Sequence, residues 1–202
     1  MRYRSLVTLL ALSACGSVPP THFYRLSPAR AEPAGQPIAG VLAIQPLDAD
    51  AVYTDDQILY RTGKTRVDFY GYHRWISPPA VQLSDYLRDA LARSGLFKRV
   101  QSRVDGGAEA ALAGRLIAFD EVDVSESQWM GQIELELWLE DVRSGAAFWS
   151  NRYAVAEKIS QRDPEGLALA LSAAMQRVVD LSARELAQAM QAHQSEQPDQ
   201  PP

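Results

Sequence analysis

Residues 132–140 read QIELELWLE, with Ile133, Leu135, Leu137 and Leu139 alternating against Glu134, Glu136, Trp138 and Glu140. A period of two is the signature of a strand with one face on a core and the other in water, and a helix would scatter these leucines around its whole circumference. Such a half-wet strand belongs to an antiparallel sheet, and its apolar face demands a second layer. The neighbouring segments supply the sheet. AALAGRLIAFDEVDV at 110–124 reads as one strand, Arg143-Ser144-Gly145 as a turn, and AAFWSNRYAV at 146–155 as the next strand of an antiparallel meander.

Further strands are predicted at FYRL 23–26, VLAIQPL 41–47 and 96–100. ILYRT and TRVDFYGY form a hairpin about Gly63-Lys64, rich in the aromatic and β-branched residues that suit a pleated surface. The acidic DADAVYTDD between them reads as a solvated loop. Two stretches carry a helical stripe instead. Ser77-Pro78-Pro79 opens one with Leu83, Leu87, Ala90 and Leu91, ended by Gly95, because proline is tolerated where no N–H is needed. Asp163-Pro164-Glu165 opens the other, whose stripe runs from Leu167 through Leu186 to about residue 190. The expected fold is therefore α+β, a two-layer sandwich of a mostly antiparallel sheet with two amphipathic helices on one face, spanning 23–190. The polar, proline-rich 191–202 is expected to be a disordered tail.

The first residues have a different character. MRYR is followed by an apolar run to Ala14, the layout of a secretory signal peptide, and roughly ten apolar residues are too few to cross a bilayer. Leu12-Ser13-Ala14-Cys15 resembles the bacterial lipobox, which implies removal of residues 1–14 and acylation of Cys15, with 15–22 as a lipidated N-terminus and short tether. Gly16 rather than aspartate at the second mature position implies export to the outer membrane. Covalent diacylglycerol and N-acyl chains would anchor durably, since one chain alone holds only marginally.

The remaining chain carries 18 basic and 25 acidic side chains, a formal charge of −7. That disfavours nucleic acid and electrostatic adhesion to anionic lipid, both of which need a cationic face. Nor is a reactive constellation visible. His22, His73 and His193 lack metal-ligand neighbours, no glycine-flanked nucleophile or phosphate loop exists, and the 48–56 loop lacks the glycine and closing glutamate of a calcium loop. Asp120 and Glu121 are strand neighbours that point to opposite faces. No enzyme activity, cofactor or metal is expected.

In order along the chain, the lipobox, FYRL, VLAIQPL, DFYGYHRWISPP, LSDYLRDALARSGLF, LIAFDEV, ELELWLEDVRSG and the final alanine-rich helix resemble the ABC-type transport auxiliary lipoprotein family, the PqiC-like lipoproteins of MCE-type lipid transport systems. Ile76-Ser77 departs from the small or acidic residues usual before the prolines. The resemblance implies a lipid-anchored, periplasm-facing outer-membrane subunit. Its partners would be an MCE-domain protein and, through it, a permease and an ATPase that move phospholipid-like molecules. A homo-oligomeric ring is allowed by the resemblance without being required. Tyr70, Tyr72, Trp75 and outward Trp138 are the candidate partner contacts, because interfaces favour amphipathic aromatics, although core packing competes for the hairpin members. Tyr70 and Tyr72, on the face opposite Val67 and Phe69, are preferred over Phe69. The alternative function is a lipoprotein regulating a cell-wall synthase; a tether of at most about 20 Å favours a domain held near its membrane. Two helices on one sheet face leave little apolar surface for a phospholipid-sized cavity.

Overall fold

The computed structural model describes residues 18–30, 36–63, 65–105 and 107–196. Cys15, the lipobox and residues 197–202 lie outside them. In chain order the elements are β1 His22–Tyr24, β2 Ala39–Ile44, β3 Asp48–Ala49, a 3-10 turn Ala51–Tyr53, β4 Gln57–Thr62, β5 Arg66–Trp75 and α1 Pro79–Arg93. They continue with β6 Phe97–Gln101, β7 Ala110–Ser125, β8 Gln128–Asp141, β9 Ala147–Lys158 and α2 Pro164–Glu196.

The two-layer α+β arrangement is as expected, and one curled sheet carries all nine strands. The long strands form the antiparallel meander β7–β8–β9, turned between β8 and β9 by Gly145, whose φ of 70° is open to a residue without Cβ. β4 and β5 form the expected antiparallel hairpin. Short parallel ladders join the rest: β2 to β6 and β7, β3 and β4 to β7, and β1 to β5. The sheet is thus mixed. β2, β3 and β4 follow one another along one edge of β7, opposite residues 110–112, 115–116 and 121–123, and α1 carries the chain back so that β6 lies parallel to β2.

Ile133, Leu135, Leu137 and Leu139 are fully buried beneath α2, which packs over β8 and β9, while α1 packs over β6 and β2. Leu83, Leu87, Ala90 and Leu91 of α1, with Leu167, Leu171, Ala174, Met175, Val178 and Leu186 of α2, complete one continuous core. At roughly 25 cal/mol per Å² of apolar surface, this interdigitation is the dominant stabilising contribution. One continuous core occupies the interior, and clefts open at the surface. One of about 550 Å³, for example, is lined by Gly40, Glu109, Asp141, His193 and Gln194.

Two expectations are corrected. Residues 191–196 continue α2 rather than trailing free: the His193 ring stacks on Phe148 at 4.0 Å, its Nε2 lies 3.1 Å from Asp141 Oδ2, and Gln194 donates to Glu109. Aromatic stacking and a helix C-terminus that welcomes a histidine outweigh the local polarity. The acidic 48–56 segment is also not a plain solvated loop. Its 3-10 turn buries Tyr53, and its Asp50 pairs with Arg115.

Candidate functional site

The β4–β5 hairpin carries the aromatic concentration, and buried ionic contacts hold it from both sides. Tyr60 stands opposite Glu121 in the β4–β7 ladder, and Glu121 stands opposite Gly131 of β8. A Cβ at Gly131 would come within 3.1–3.3 Å of Ala170 and Leu171, so this is the face that α2 covers. There the Tyr70 hydroxyl donates to Glu121 Oε2 at 2.8 Å, and Arg162 donates to Glu121 at 3.4 Å and to Asp123 at 2.7 Å. The guanidinium carbon of Arg162 sits 4.5 Å from the Trp129 ring centroid, and Tyr60 and Tyr70 meet edge to face at 5.3 Å. Burial pushes both the Glu121 carboxyl and the Tyr70 phenol above their ordinary values.

On the opposite, outer face Asp120 is enclosed by the 3-10 turn. Tyr53 donates to Asp120 Oδ2 at 3.0 Å, Arg61 Nε donates to the same oxygen, and Arg61 Nη2 donates to the Tyr53 hydroxyl at 2.7 Å. Burial raises the Asp120 pKa against the lowering influence of Arg61, and it pushes Tyr53 up to about 12. The two carboxylates are neighbours on opposite faces, as strand alternation requires. Each is held by an arginine and a tyrosine. These contacts pin the hairpin to β7. His73 is likewise engaged, its Nδ1 2.9 Å from the Tyr24 hydroxyl and its ring stacked on His22. Among the described residues no group of three or more His, Cys, Asp or Glu could hold a metal ion.

The aromatic side chains sort differently from the expectation. Gln57 pairs with Arg74 and Leu59 with Phe69, so residues 70–73 bulge opposite Ile58 alone and the alternation changes phase within β5. Trp75, expected as a partner contact, is turned inward, 1 % exposed and 5.1 Å from Phe119, and it is a core residue. Tyr70 is half-buried against the core and committed to Glu121. Tyr72 is outward at 45 % exposed, and Phe69, set aside in favour of the tyrosines, is outward too at 47 %. Val67 accompanies them. The signal that could have revealed this is Gly71, a mid-strand glycine of the kind that marks a bulge. Trp138 is half-buried on the uncovered face of β8 and donates from Nε1 to Glu140 at 2.8 Å. The structure therefore gathers Phe69, Tyr72 and Val67 on one outer strip, leaves Trp138 on a separate strand, and removes Tyr70 and Trp75 from the exposed set.

A crystal structure of the protein XCC0632 from Xanthomonas campestris shares the fold, with a TM-score of 0.74, 20 % identity, and coverage of 87 % of this chain and 99 % of that one. An uncharacterized protein of known structure superposes with a TM-score of 0.68 at 14 % identity, covering 83 % and 99 %. No curated protein matches. The family model for the ABC-type transport auxiliary lipoprotein component matches residues 24–183, from the end of β1 to the middle of α2, and the chain belongs to that family.

Proposed function

We propose that this chain is the outer-membrane, periplasm-facing docking subunit of an MCE-type system that moves phospholipid-like molecules between the two membranes. It is held by lipid on Cys15 and performs no chemistry or cofactor binding of its own. The observation that carries the docking role is the outer strip of β5, where Val67, Phe69 and Tyr72 stand exposed on a hairpin made rigid by buried carboxylates on both its faces. β5 runs from its tip at Arg66 to Arg74 alongside Thr62 to Gln57 of β4, about 17 Å, and the next residue, Trp75, lies beside β1 and hence beside the tether. The strip thus points its free end away from the anchor, toward a partner approaching from the inner membrane. Exposed aromatic side chains on a rigid element suit the central anchors of an interface. The core between helices and sheet is filled, so the lipid path belongs to the MCE partner, or to a ring of copies, rather than to one subunit's interior.

The test is a photo-crosslinking residue at Phe69 or Tyr72 in cells, with Asp180 on α2 as control, followed by mass spectrometry. Capture of an MCE-domain protein from the strip, and not from Asp180, is expected. Capture of cell-wall synthases alone would place the chain with the synthase regulators instead.

A further inference from the structure

Two bulky apolar side chains stand in water at the opposite end of this strip. Phe23 is 61 % exposed and Ile76 is 62 % exposed. Phe23 pairs with Arg74 in the parallel β1–β5 ladder and so shares the outer face, while Tyr24 and Trp75 turn toward the core. Ile76 follows two residues after Arg74, and its N–H donates to the Tyr24 carbonyl at 2.8 Å, which keeps it beside β1. Val81, in the first turn of α1 beyond the prolines, is exposed as well. None of these three belongs to the core cluster.

The position of the anchor gives this edge an occupant. Cys15 precedes His22 by seven residues, so an acylated Cys15 lies within about 25 Å of β1 even with the chain fully extended. Lipid chains seat Cys15 at the hydrocarbon boundary, and β1 therefore stays close to the bilayer surface. A phenyl ring and a branched aliphatic chain partition favourably into that boundary, and exposed Arg25 beside them suits phosphate oxygens. The acidic balance of the chain argues against adhesion by charge, leaving apolar contact as the attractive contribution. We infer that Phe23 and Ile76 form a lipid-contact edge that dips into the membrane beside the anchor and sets the domain's orientation, with the β4–β5 hairpin projecting away from the bilayer.

This inference rests on the lipid-anchor reading of Cys15. Acylation of Cys15 leaves the mature chain without another thiol, so one introduced cysteine takes one label. The lipidated protein would be reconstituted in phosphatidylethanolamine and phosphatidylglycerol vesicles, with an environment-sensitive fluorophore at Ser77→Cys, Val67→Cys or Leu181→Cys. Flotation is read first, and failure to float would overturn the anchor and the edge together. With flotation intact, quenching by spin-labelled lipid is expected to be several-fold stronger at 77 than at 67 or 181. The double variant F23S/I76S should bring position 77 down to the level of 181 while still floating. Equal quenching at all three positions would overturn the edge alone. So would shielding at 77 that persists unchanged in detergent, since the occupant would then be a second copy or another protein.

Discussion

Asp120 is nearly fully buried, with Oδ2 shared by Tyr53 and Arg61 and Oδ1 without a hydrogen-bond partner among the described residues. Removing Arg61 would leave a buried carboxylate uncompensated, a loss of about 3 kcal/mol; the partial exposure of the Arg61 side chain keeps it at the low end of the usual range. Because burial raises this carboxyl, stability associated with its protonated form is present below its ordinary pKa and is lost as pH rises through the folded value. The destabilisation of Arg61→Ala, measured by urea unfolding, should therefore be smaller at pH 4 than at pH 7, and Asp120→Asn should be milder than Arg61→Ala at neutral pH. Asp141 behaves in the opposite sense. It accepts from the Ser144 N–H at 2.8 Å, the Arg143 N–H at 3.1 Å and the Ser144 hydroxyl at 2.9 Å, and these donors, the Ser144 amide first, hold its pKa at about 2. That contributes about 2 kcal/mol above pH 4, lost as pH falls toward 2. Asp141→Asn should flatten this acid limb, and an unchanged slope would show that the turn does not depend on the charge.

At the scale of elements, α2 shows how a helix outlasts its own hydrophobic stripe. Beyond Met190 the apolar face ends, yet the helix continues to Glu196 because Phe148, Asp141 and Glu109 receive His193 and Gln194. Ending the chain after Met190 should cost about 1–2 kcal/mol, a fall in Tm of about 2–8 °C by calorimetry. A free tail would cost nothing. Likewise β5 is divided by its bulge into a tip half, whose Phe69 faces out, and an anchored half, whose Trp75 faces in. One strand thereby serves both the core and the outer surface.

For the whole molecule, the proposed division of labour is between a continuous core, an outer strip and a lipid anchor. Among the described residues no helix is long and apolar enough to cross a membrane. Under the proposed anchor on Cys15, Cys15→Ala should shift the protein into the soluble periplasmic fraction. Persistence with membranes after a high-salt wash, which strips contacts made by charge, would refute the lipid anchor. The edge at Phe23 and Ile76 alone is too small to hold the domain there, since two side chains bury far less apolar surface than two acyl chains.

Features that depend on near neighbours could be read from the sequence. The period of two in β8 named its four core aliphatic residues, proline placed the starts of α1 and α2, and Arg143-Ser144-Gly145 placed the last hairpin turn. Local geometry sets all of these. The tertiary structure alone decided the parallel ladders of β2, β3 and β4 on β7, and the meeting of Arg61 with Asp120 and of Tyr70 with Glu121, more than fifty residues apart. It also decided which hairpin aromatics face the solvent. Alternation predicts a face only while the register is unbroken, and the bulge at 70–73 changes the phase of every residue beyond it. Whether a strand bulges depends on what its partner strand and the packed core require, and that information lies in distant parts of the chain.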